Sequence, residues 1–286
     1  MLIAGQSASI QVRQIEKVSS LADVEFRVAS QFGEDGIIEW LVHRLDIDTP
    51  SFIEIGASNY DEANTRFLLE NRNWRGLLID ADPRISELRS SPLWWRQDIA
   101  AIQSFVSAEN IDSLIKSAKF GGQIGLLSID IDGMDYWIWR AITVVSPILV
   151  VCEYNGVFGD LVPIVIPYDQ KFDRTRAHQS NVYWGASISA LEMLAGTKGY
   201  VFVGTNSTGH NAFFVREDYR SRLDGRIGST LPRASLIRTP RSGFAGGLSR
   251  FEIIADLPVV DLRDGTTRQL GELRPVYSER WLKALT

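Results

Sequence analysis

The sequence predicts an α/β fold: a doubly wound, seven-stranded sheet that is mostly parallel and ends in an antiparallel C-terminal hairpin. Short apolar segments alternate with segments of helical periodicity, which is typical of βαβ units. Glycine and acidic residues follow several predicted strands, where an open sheet binds its ligands. The last two predicted strands, 200–204 and 211–216, are joined by a loop that is too short for a parallel crossover. They therefore form a hairpin.

Each element is predicted from the spacing of its apolar residues. The predicted strands are 51–56, 76–80, 92–96, 124–130, 147–153, 200–204 and 211–216. The predicted helices include 34–45, a segment around 111–115, 134–142 and a segment around 188–194 whose apolar face contains Met193.

The chain is divided into three parts. A helical lead-in (1–29) precedes the main domain (30–216), and a C-terminal extension (217–286) breaks the alternation and is rich in Arg and Gly. In the extension we expect a long loop, then short strands within 250–262 and a helix at 276–284. Two interpretations of the long loop stay open: a lid over the substrate and a disordered surface loop.

The composition is that of an ordinary globular protein, with 45% hydrophobic and 23% charged residues among 286. The net charge of −5 argues against nucleic-acid binding, which needs a basic face. The single cysteine, Cys152, lies in an apolar segment and is expected in the core. Because no apolar segment is long enough to span a bilayer and the first residues do not resemble a signal peptide, we expect a cytoplasmic protein. A homo-oligomer stays open.

The first two predicted strands end in residues suited to a cofactor. Glu54 can accept a hydrogen bond, and Gly56 allows a tight turn and close approach of a ligand. Asp80 ends the second strand, where an acid can bind both hydroxyls of a ribose. Asp98, after the predicted third strand, is a candidate for the adenine amine. The alternative is a turn that needs glycine for geometry only.

These residues and the final hairpin resemble the Rossmann-like class I methyltransferases that depend on S-adenosylmethionine (SAM). Within that class, the segment Ser30-Gln31-Phe32-Gly33-Glu34-Asp35-Gly36 resembles the opening motif of the FkbM-like family. The resemblance covers about 30–216 and implies SAM as the cofactor. The implied cofactor residues are Gln31, Glu54, Gly56, Ala57, Ser58, Asp80 and Asp130. Such families mostly methylate hydroxyls of sugars.

Acidic residues follow the fourth and fifth strands. Because these strand ends are neighbours in a parallel sheet, Asp130, Glu153 and Asn155 can offer oxygen ligands to Mg²⁺. The pattern resembles metal-dependent O-methyltransferases of the catechol and caffeoyl type, although Gly133 stands where those enzymes often have a catalytic lysine. Three alternatives stay open: Asp130 and Asp132 cap the next helix, contact SAM without a metal, or form the Asp-x-Asp of a glycosyltransferase that uses a nucleotide sugar.

Residues after the fifth strand and in the hairpin loop are candidates for the acceptor side. A near-neutral imidazole suits removal of a proton from a hydroxyl, so His178 is the first candidate for the base, with Asp130 orienting the hydroxyl. The candidate acceptor contacts are Asp132, Tyr168, Tyr183, Trp184 and His210. The alternative is that the aromatic residues are ordinary packing and the histidines are solvated.

Together the residues predict a SAM-dependent O-methyltransferase that acts on a sugar hydroxyl in a polysaccharide, a glycolipid or a glycosylated metabolite. A metal-independent methyltransferase of a non-sugar small molecule remains an alternative.

Overall fold

A computed structural model describes residues 2–234 and 248–285. The strands are β1 (Ser51–Ile55), β2 (Arg75–Asp80), β3 (Ile99–Gln103), β4 (Gly122–Ile129), β5 (Val145–Glu153), β6 (Ile164–Val165), β7 (Tyr200–Thr205), β8 (Asn211–Arg216), β9 (Pro258–Asp261) and β10 (Thr266–Gln269). The α-helices are α1 (Leu2–Gln14), α2 (Glu34–Arg44), α3 (Arg66–Arg72), α4 (Pro92–Arg96), α5 (Ile111–Ser117), α6 (Asp135–Ala141), α7 (Arg174–Ala177), α8 (Ile188–Lys198), α9 (Ser249–Glu252) and α10 (Glu279–Leu285).

The large sheet has the strand order β3-β2-β1-β4-β5-β8-β7. Strands β1 to β5 pair in parallel, while β8 is antiparallel to both β5 and β7. This order confirms the predicted fold class, including the hairpin. The chain leaves β1 on one side and returns through β4 on the other, so the carboxyl ends of β1 and β4 flank the crevice where such sheets bind ligands.

Both faces of the sheet are covered. Ile53, Leu77 and Leu127 belong to one buried cluster, while their neighbours Leu78 and Leu126 belong to a second cluster on the opposite face. Successive side chains of a strand point to opposite faces, so two-sided burial explains why these strands are apolar without alternation.

The predicted strand at 92–96 is wrong, because these residues form helix α4. Pro92 occupies the first turn of α4, where its fixed φ favours a helix and its missing N–H costs nothing. The third strand is instead β3, in which Ile99 and Ala101 are buried. Helix α8 is confirmed, but Met193 is exposed rather than on its apolar face.

The C-terminal extension contributes a second sheet. Strands β10, β9 and β6 form it, so the extension pairs with a strand of the main domain. Part of the predicted strand segment 250–262 forms α9, and the helix predicted at 276–284 is α10. The predicted loop includes 235–247, which lie outside the described residues. Within the described ranges, no helix is long and apolar enough to cross a membrane.

Candidate functional site

A cavity of about 670 Å³ opens at the carboxyl ends of β1 to β5. The predicted site residues that line it are Gln31, Gly56, Ser58, Asp80, Asp130, Asp132, Glu153, Asn155, Trp184 and His210. Six others do not line it, namely Glu54, Ala57, Asp98, Tyr168, His178 and Tyr183. The cavity thus brings together predicted residues from the ends of β1, β2, β4 and β5, but not Asp98, which was predicted after the third strand.

Gly56 is needed for a close approach between β1 and β4. Its φ is +92°, and a Cβ at this position would lie 1.6 Å from the carbonyl oxygen of Asp130. In the neighbouring ladder, the Asp130 N–H donates to the carbonyl of Ile55 at 2.9 Å. The two strand ends that form the crevice are therefore in contact through a position that only glycine fits.

Asp80 holds the two loops on the cofactor side of the cavity. Its Oδ2 accepts a hydrogen bond from the Ser58 N–H at 2.6 Å, and its Oδ1 accepts from the Asp82 N–H at 2.7 Å. Each carboxylate oxygen has a further lone pair, and Asp80 lines the cavity together with Ser58 and Asp82. Asp80 can therefore accept two further hydrogen bonds from a diol without losing the loops.

Glu54 does not face the cavity, which corrects the prediction that it contacts a cofactor. Its carboxylate is buried and accepts hydrogen bonds from the Asn64 N–H at 2.8 Å, the Thr65 N–H at 3.2 Å and the Thr65 hydroxyl. Burial raises the pKa of Glu54 to about 7. The residue secures the loop before α3. Ala57 is likewise buried beneath the turn.

Asp98 lies at the amino end of β3, whereas the cavity lies at the carboxyl ends of the strands, so it is not placed to contact an adenine there. It precedes β3, its carbonyl accepts from the Gly76 N–H, and its exposed carboxylate lies 3.8 Å from the Arg75 guanidinium. The error follows from placing the third strand too early. The residues that follow the actual strand and line the cavity are Ser104, Phe105 and Val106.

Three carboxylates converge between the ends of β4 and β5. One oxygen each from Asp130, Asp135 and Glu153 lies within 4.8 Å of the others. Glu153 is 7% exposed, and its Oε2 has no hydrogen-bond partner among the described residues. Asp135 is fully buried, and its carboxylate also accepts from the N–H groups of Ile131 and Gly133 at 2.9 and 3.0 Å.

The negative charges of this cluster repel one another. Burial, together with the charges of Asp132 and Asp135, holds the pKa of Asp130 well above its ordinary value. Burial and the charge of Asp130 do the same for the pKa of Glu153, and burial raises the pKa of Asp135 to about 6. Buried carboxylates of this kind need a proton or a cation, and an oxygen donor set suits a hard divalent ion. The residues present therefore fit a metal such as Mg²⁺.

Asn155, predicted as a metal ligand, makes hydrogen bonds to the protein through both of its polar side-chain atoms. Its amide Nδ2 donates to the carbonyls of Val182 and Trp184, both at 2.8 Å, and its Oδ1 accepts from the Val157 N–H at 3.0 Å. Asn155 instead ties the end of β5 to the segment that carries Trp184. Asp135 takes its place in the acidic cluster.

The part of the cavity that the sequence assigns to an acceptor combines aromatic rings with one ion pair. The Arg174 guanidinium forms an ion pair with Asp132 and lies 4.6 Å from the centre of the Trp184 ring. The ring of Phe172 packs on Gly133, where an added Cβ would lie 2.3 Å from it. Phe172 therefore occupies the space of any side chain at 133, so a lysine base is excluded there.

Of the two predicted loop histidines, His210 lines the cavity and His178 does not. The Nδ1 of His178 accepts from the Ser180 N–H at 3.3 Å and lies 2.7 Å from the Ser180 hydroxyl. His210 stacks on Phe32, with ring centroids 4.9 Å apart. Burial lowers the pKa of His210 to about 4, so its imidazole is neutral at pH 7.

Two predicted acceptor contacts serve as packing instead. The Tyr168 hydroxyl donates to Glu109 at 2.7 Å and accepts from the Ala108 N–H at 3.0 Å. The Tyr183 hydroxyl donates to the carbonyl of Pro258, which anchors the second sheet. Both tyrosines therefore hold loops outside the cavity.

Several lining residues were not predicted. Asp82 could have been found, because it extends an acidic run that follows a strand; the same holds for Asp135, which belongs to the acidic cluster but does not line the cavity. Arg174 and Arg250 carry no such signal, since they lie in the short helices α7 and α9. Their positions depend on tertiary packing alone.

Comparisons with known proteins found remote structural likeness only. No family model and no curated protein matches the chain. Solved structures resemble it at low sequence identity, as three examples show. An O-methyltransferase family protein from Burkholderia thailandensis is 12% identical, with a TM-score of 0.38 over 64% of this chain and 59% of that one. The N-terminal domain of EvdMO1 with SAH bound is 9% identical, with a TM-score of 0.41 over 73% and 93%. The mitomycin 7-O-methyltransferase MmcR is 15% identical, with a TM-score of 0.36 over 64% and 56%. The chain thus spans less than two thirds of the Burkholderia and mitomycin proteins.

Proposed function

We propose that this chain is a SAM-dependent O-methyltransferase that transfers a methyl group to a sugar hydroxyl in a polysaccharide, a glycolipid or a glycosylated metabolite. The mostly parallel seven-stranded sheet with its antiparallel hairpin supports the proposal, since the resemblance to class I methyltransferases implies such a sheet. The motif at 30–36 supports an FkbM-like assignment within that class. In this proposal 30–216 form the methyltransferase domain, and 217–286 form an extension that contributes Arg250 to the cavity.

The observation that carries the proposal is the position of Asp80 at the end of β2, beside the Gly56 turn. Its carboxylate keeps acceptor capacity toward the cavity while it holds both adjacent loops. An acid at this point of a doubly wound sheet suits the two hydroxyls of a ribose. The further acids Asp82, Asp130 and Glu153 line the same cavity, and negative charge suits a cofactor with a sulfonium cation and an amino group.

The acceptor side supports a sugar. The rings of Phe32, Phe172 and Trp184 line the cavity beside Asp132 and Arg174. Aromatic faces pack against the apolar face of a sugar ring, and charged groups nearby take its hydroxyls.

A divalent cation, with Mg²⁺ the candidate, would be held by Asp130, Asp135 and Glu153. The unpartnered Oε2 of Glu153 supports this assignment. When bound there, the ion would lower the pKa of an acceptor hydroxyl.

The proposed chemistry is an in-line attack of the acceptor oxygen on a methyl group carried by a sulfonium. The chain contributes alignment, because Asp80 fixes one end of the cofactor and the aromatic wall fixes the acceptor. Asp130 orients the hydroxyl at the cavity wall, and as the new O–CH₃ bond forms and the S–CH₃ bond breaks, the hydroxyl proton leaves to solvent. His178 is not given the role of a base, since it lies outside the cavity lining.

The experiment that tests the proposal follows methyl transfer from isotopically labelled SAM into sugar acceptors, with mass spectrometry to locate the methyl group. Labelled methyl ethers on sugar hydroxyls are expected, and their loss in EDTA supports the cation. Activity that survives extensive EDTA treatment would remove the cation. Thermal stabilisation by a nucleoside diphosphate with Mn²⁺, and none by SAM, would favour a glycosyltransferase instead.

A further inference from the structure

Glu34 is a buried carboxylate in the first turn of α2 that joins two distant parts of the chain. It is fully buried, and its Oε1 accepts hydrogen bonds from the side-chain amides of Asn206 and Asn211 at 2.7 and 2.8 Å. Its Oε2 accepts from the Phe32 N–H at 2.9 Å. One side chain outside the cavity lining thus connects the segment before α2 with the β7–β8 hairpin loop.

The two segments that Glu34 joins carry residues that face each other at the cavity. Phe32 and His210 stack with their ring planes 30° apart, and both line the cavity. We refer to this pair as the Phe32–His210 wall. The carbonyl of His210 also accepts from the Tyr154 N–H at 2.9 Å, immediately after Glu153. Asn211 lies directly opposite Glu153 in the β5–β8 ladder. The wall is therefore joined to the acidic cluster by backbone contacts.

We propose that Glu34 is a positioning residue that holds the Phe32–His210 wall against the acceptor side of the cavity. That this part of the cavity binds an acceptor rests on the proposed function, whereas the role of Glu34 in holding the wall does not. A carboxylate is required because three donors converge on it and no donor is needed from it. It satisfies all three without placing its own charge in the cavity.

The substitution Glu34→Gln tests this role with almost no change in shape. If the new amide oxygen faces the asparagines, its NH₂ group meets the Phe32 N–H. If it faces Phe32, the NH₂ group meets the amide of Asn206. That amide cannot turn over, because its Oδ1 accepts the N–H groups of His210 and Asn211 at 3.0 and 3.1 Å. Either orientation leaves two donors opposed in a buried site, so the wall loosens.

The matched control is Glu39→Gln on the same helix. Glu39 is equally buried and accepts hydrogen bonds from Ser9, Arg13 and Arg72, away from the cavity. It reproduces the loss of a buried charge without touching the wall. A fall in melting temperature that both variants show is then attributed to the loss of a buried charge. A change at His210 that only Glu34→Gln shows is attributed to the wall.

The readout is the rate at which diethyl pyrocarbonate modifies each histidine of the full chain, followed by mass spectrometry. The exposed His43 is an internal reference. In Glu34→Gln we expect His210 to react about tenfold faster than in the wild type, because the loss of a buried hydrogen bond favours local opening. In Glu39→Gln the rate at His210 should not change.

Equal rates at His210 in the wild type and Glu34→Gln would overturn the proposal, as would an equal increase in both variants. If Glu34→Gln does not fold, Asn211→Ala removes one of the three contacts. It should raise the rate about threefold. No increase in that variant would again overturn the proposal. Titration of the wild type with S-adenosylhomocysteine (SAH) tests the proposed function separately: absence of binding contradicts methyl transfer and leaves the result on His210 intact.

Discussion

Replacing Gly56 with alanine should break the contact between β1 and β4 that forms the crevice. Two costs add at this position. The backbone has φ +92°, which alanine adopts only with strain of about 1–2 kcal/mol. The added Cβ would lie 1.6 Å from the Asp130 carbonyl oxygen and 2.5 Å from its carbon, so the backbone must move, at a further cost of about 1–3 kcal/mol.

Gly122→Ala is the matched control. Gly122 also has a positive φ, +67°, but a Cβ there would meet no atom within 4 Å. It therefore carries the backbone strain without the collision. In urea unfolding, we expect Gly56→Ala to lose about 2–5 kcal/mol and Gly122→Ala about 1–2 kcal/mol.

The two variants should also separate in ligand binding. Movement of the Gly56 turn displaces the end of β4, so Gly56→Ala should weaken the binding of SAH, while Gly122→Ala, at the start of β4, should not. Equal losses of stability in the two variants would refute the argument from the Asp130 contact. So would unchanged binding of SAH by Gly56→Ala.

Three further predictions concern the acidic residues. Asp80→Ala should weaken SAH binding about a hundredfold in calorimetry, because two charge-assisted hydrogen bonds to the ribose are lost. Asp98→Ala, at the other end of the strands, should have no effect. Equal effects of the two substitutions would contradict the ribose role. Burial raises the pKa of Glu54 from 4.5 to about 7, so ionisation favours the unfolded state. The free energy of unfolding should therefore fall by about 3 kcal/mol as the pH rises through this window, and Glu54→Gln should lack this loss; parallel pH profiles in urea unfolding would contradict it. Mg²⁺ at about one hundred times its dissociation constant should raise the melting temperature by about 5–10 °C relative to EDTA, and Glu153→Gln should abolish the increase; an equal increase in both proteins would contradict the cation site.

Much of the fold could be predicted because its signals are local. The strands β1, β2, β4 and β5 each carry apolar residues on both faces of the sheet, and two-sided burial produces that pattern. The hairpin followed from the length of one loop. The third strand could not be predicted in this way, because Trp94 and Trp95 suggest a strand while Pro92 starts a helix, and the real strand is short and only partly buried.

Among the acidic residues, the site was predictable where the acid ends its strand or directly follows it. Asp80, Asp130 and Glu153 meet that condition, and all three line the cavity. Glu54 does not, because it lies within β1 and its carboxylate turns toward Asn64 and Thr65. Whether an acid faces a ligand or its own loop depends on backbone N–H groups that no sequence pattern displays.

The acceptor side was the least predictable part. Trp184 was identified, but the Arg174 guanidinium above its ring and the contribution of Arg250 depend on contacts between distant segments. His178 and His210 illustrate the same point. Both lie in polar loops after strands, and only the fold determines which of them reaches the cavity.

The most direct test of the central claim is calorimetric titration of the wild-type chain with SAH. The claim is that the cavity between β1, β2 and β4 is built for a SAM-type cofactor. The prediction is saturable binding at one molecule per chain, lost on Asp80→Ala and retained on Asp98→Ala. Absence of saturable binding by the folded wild type would contradict the claim.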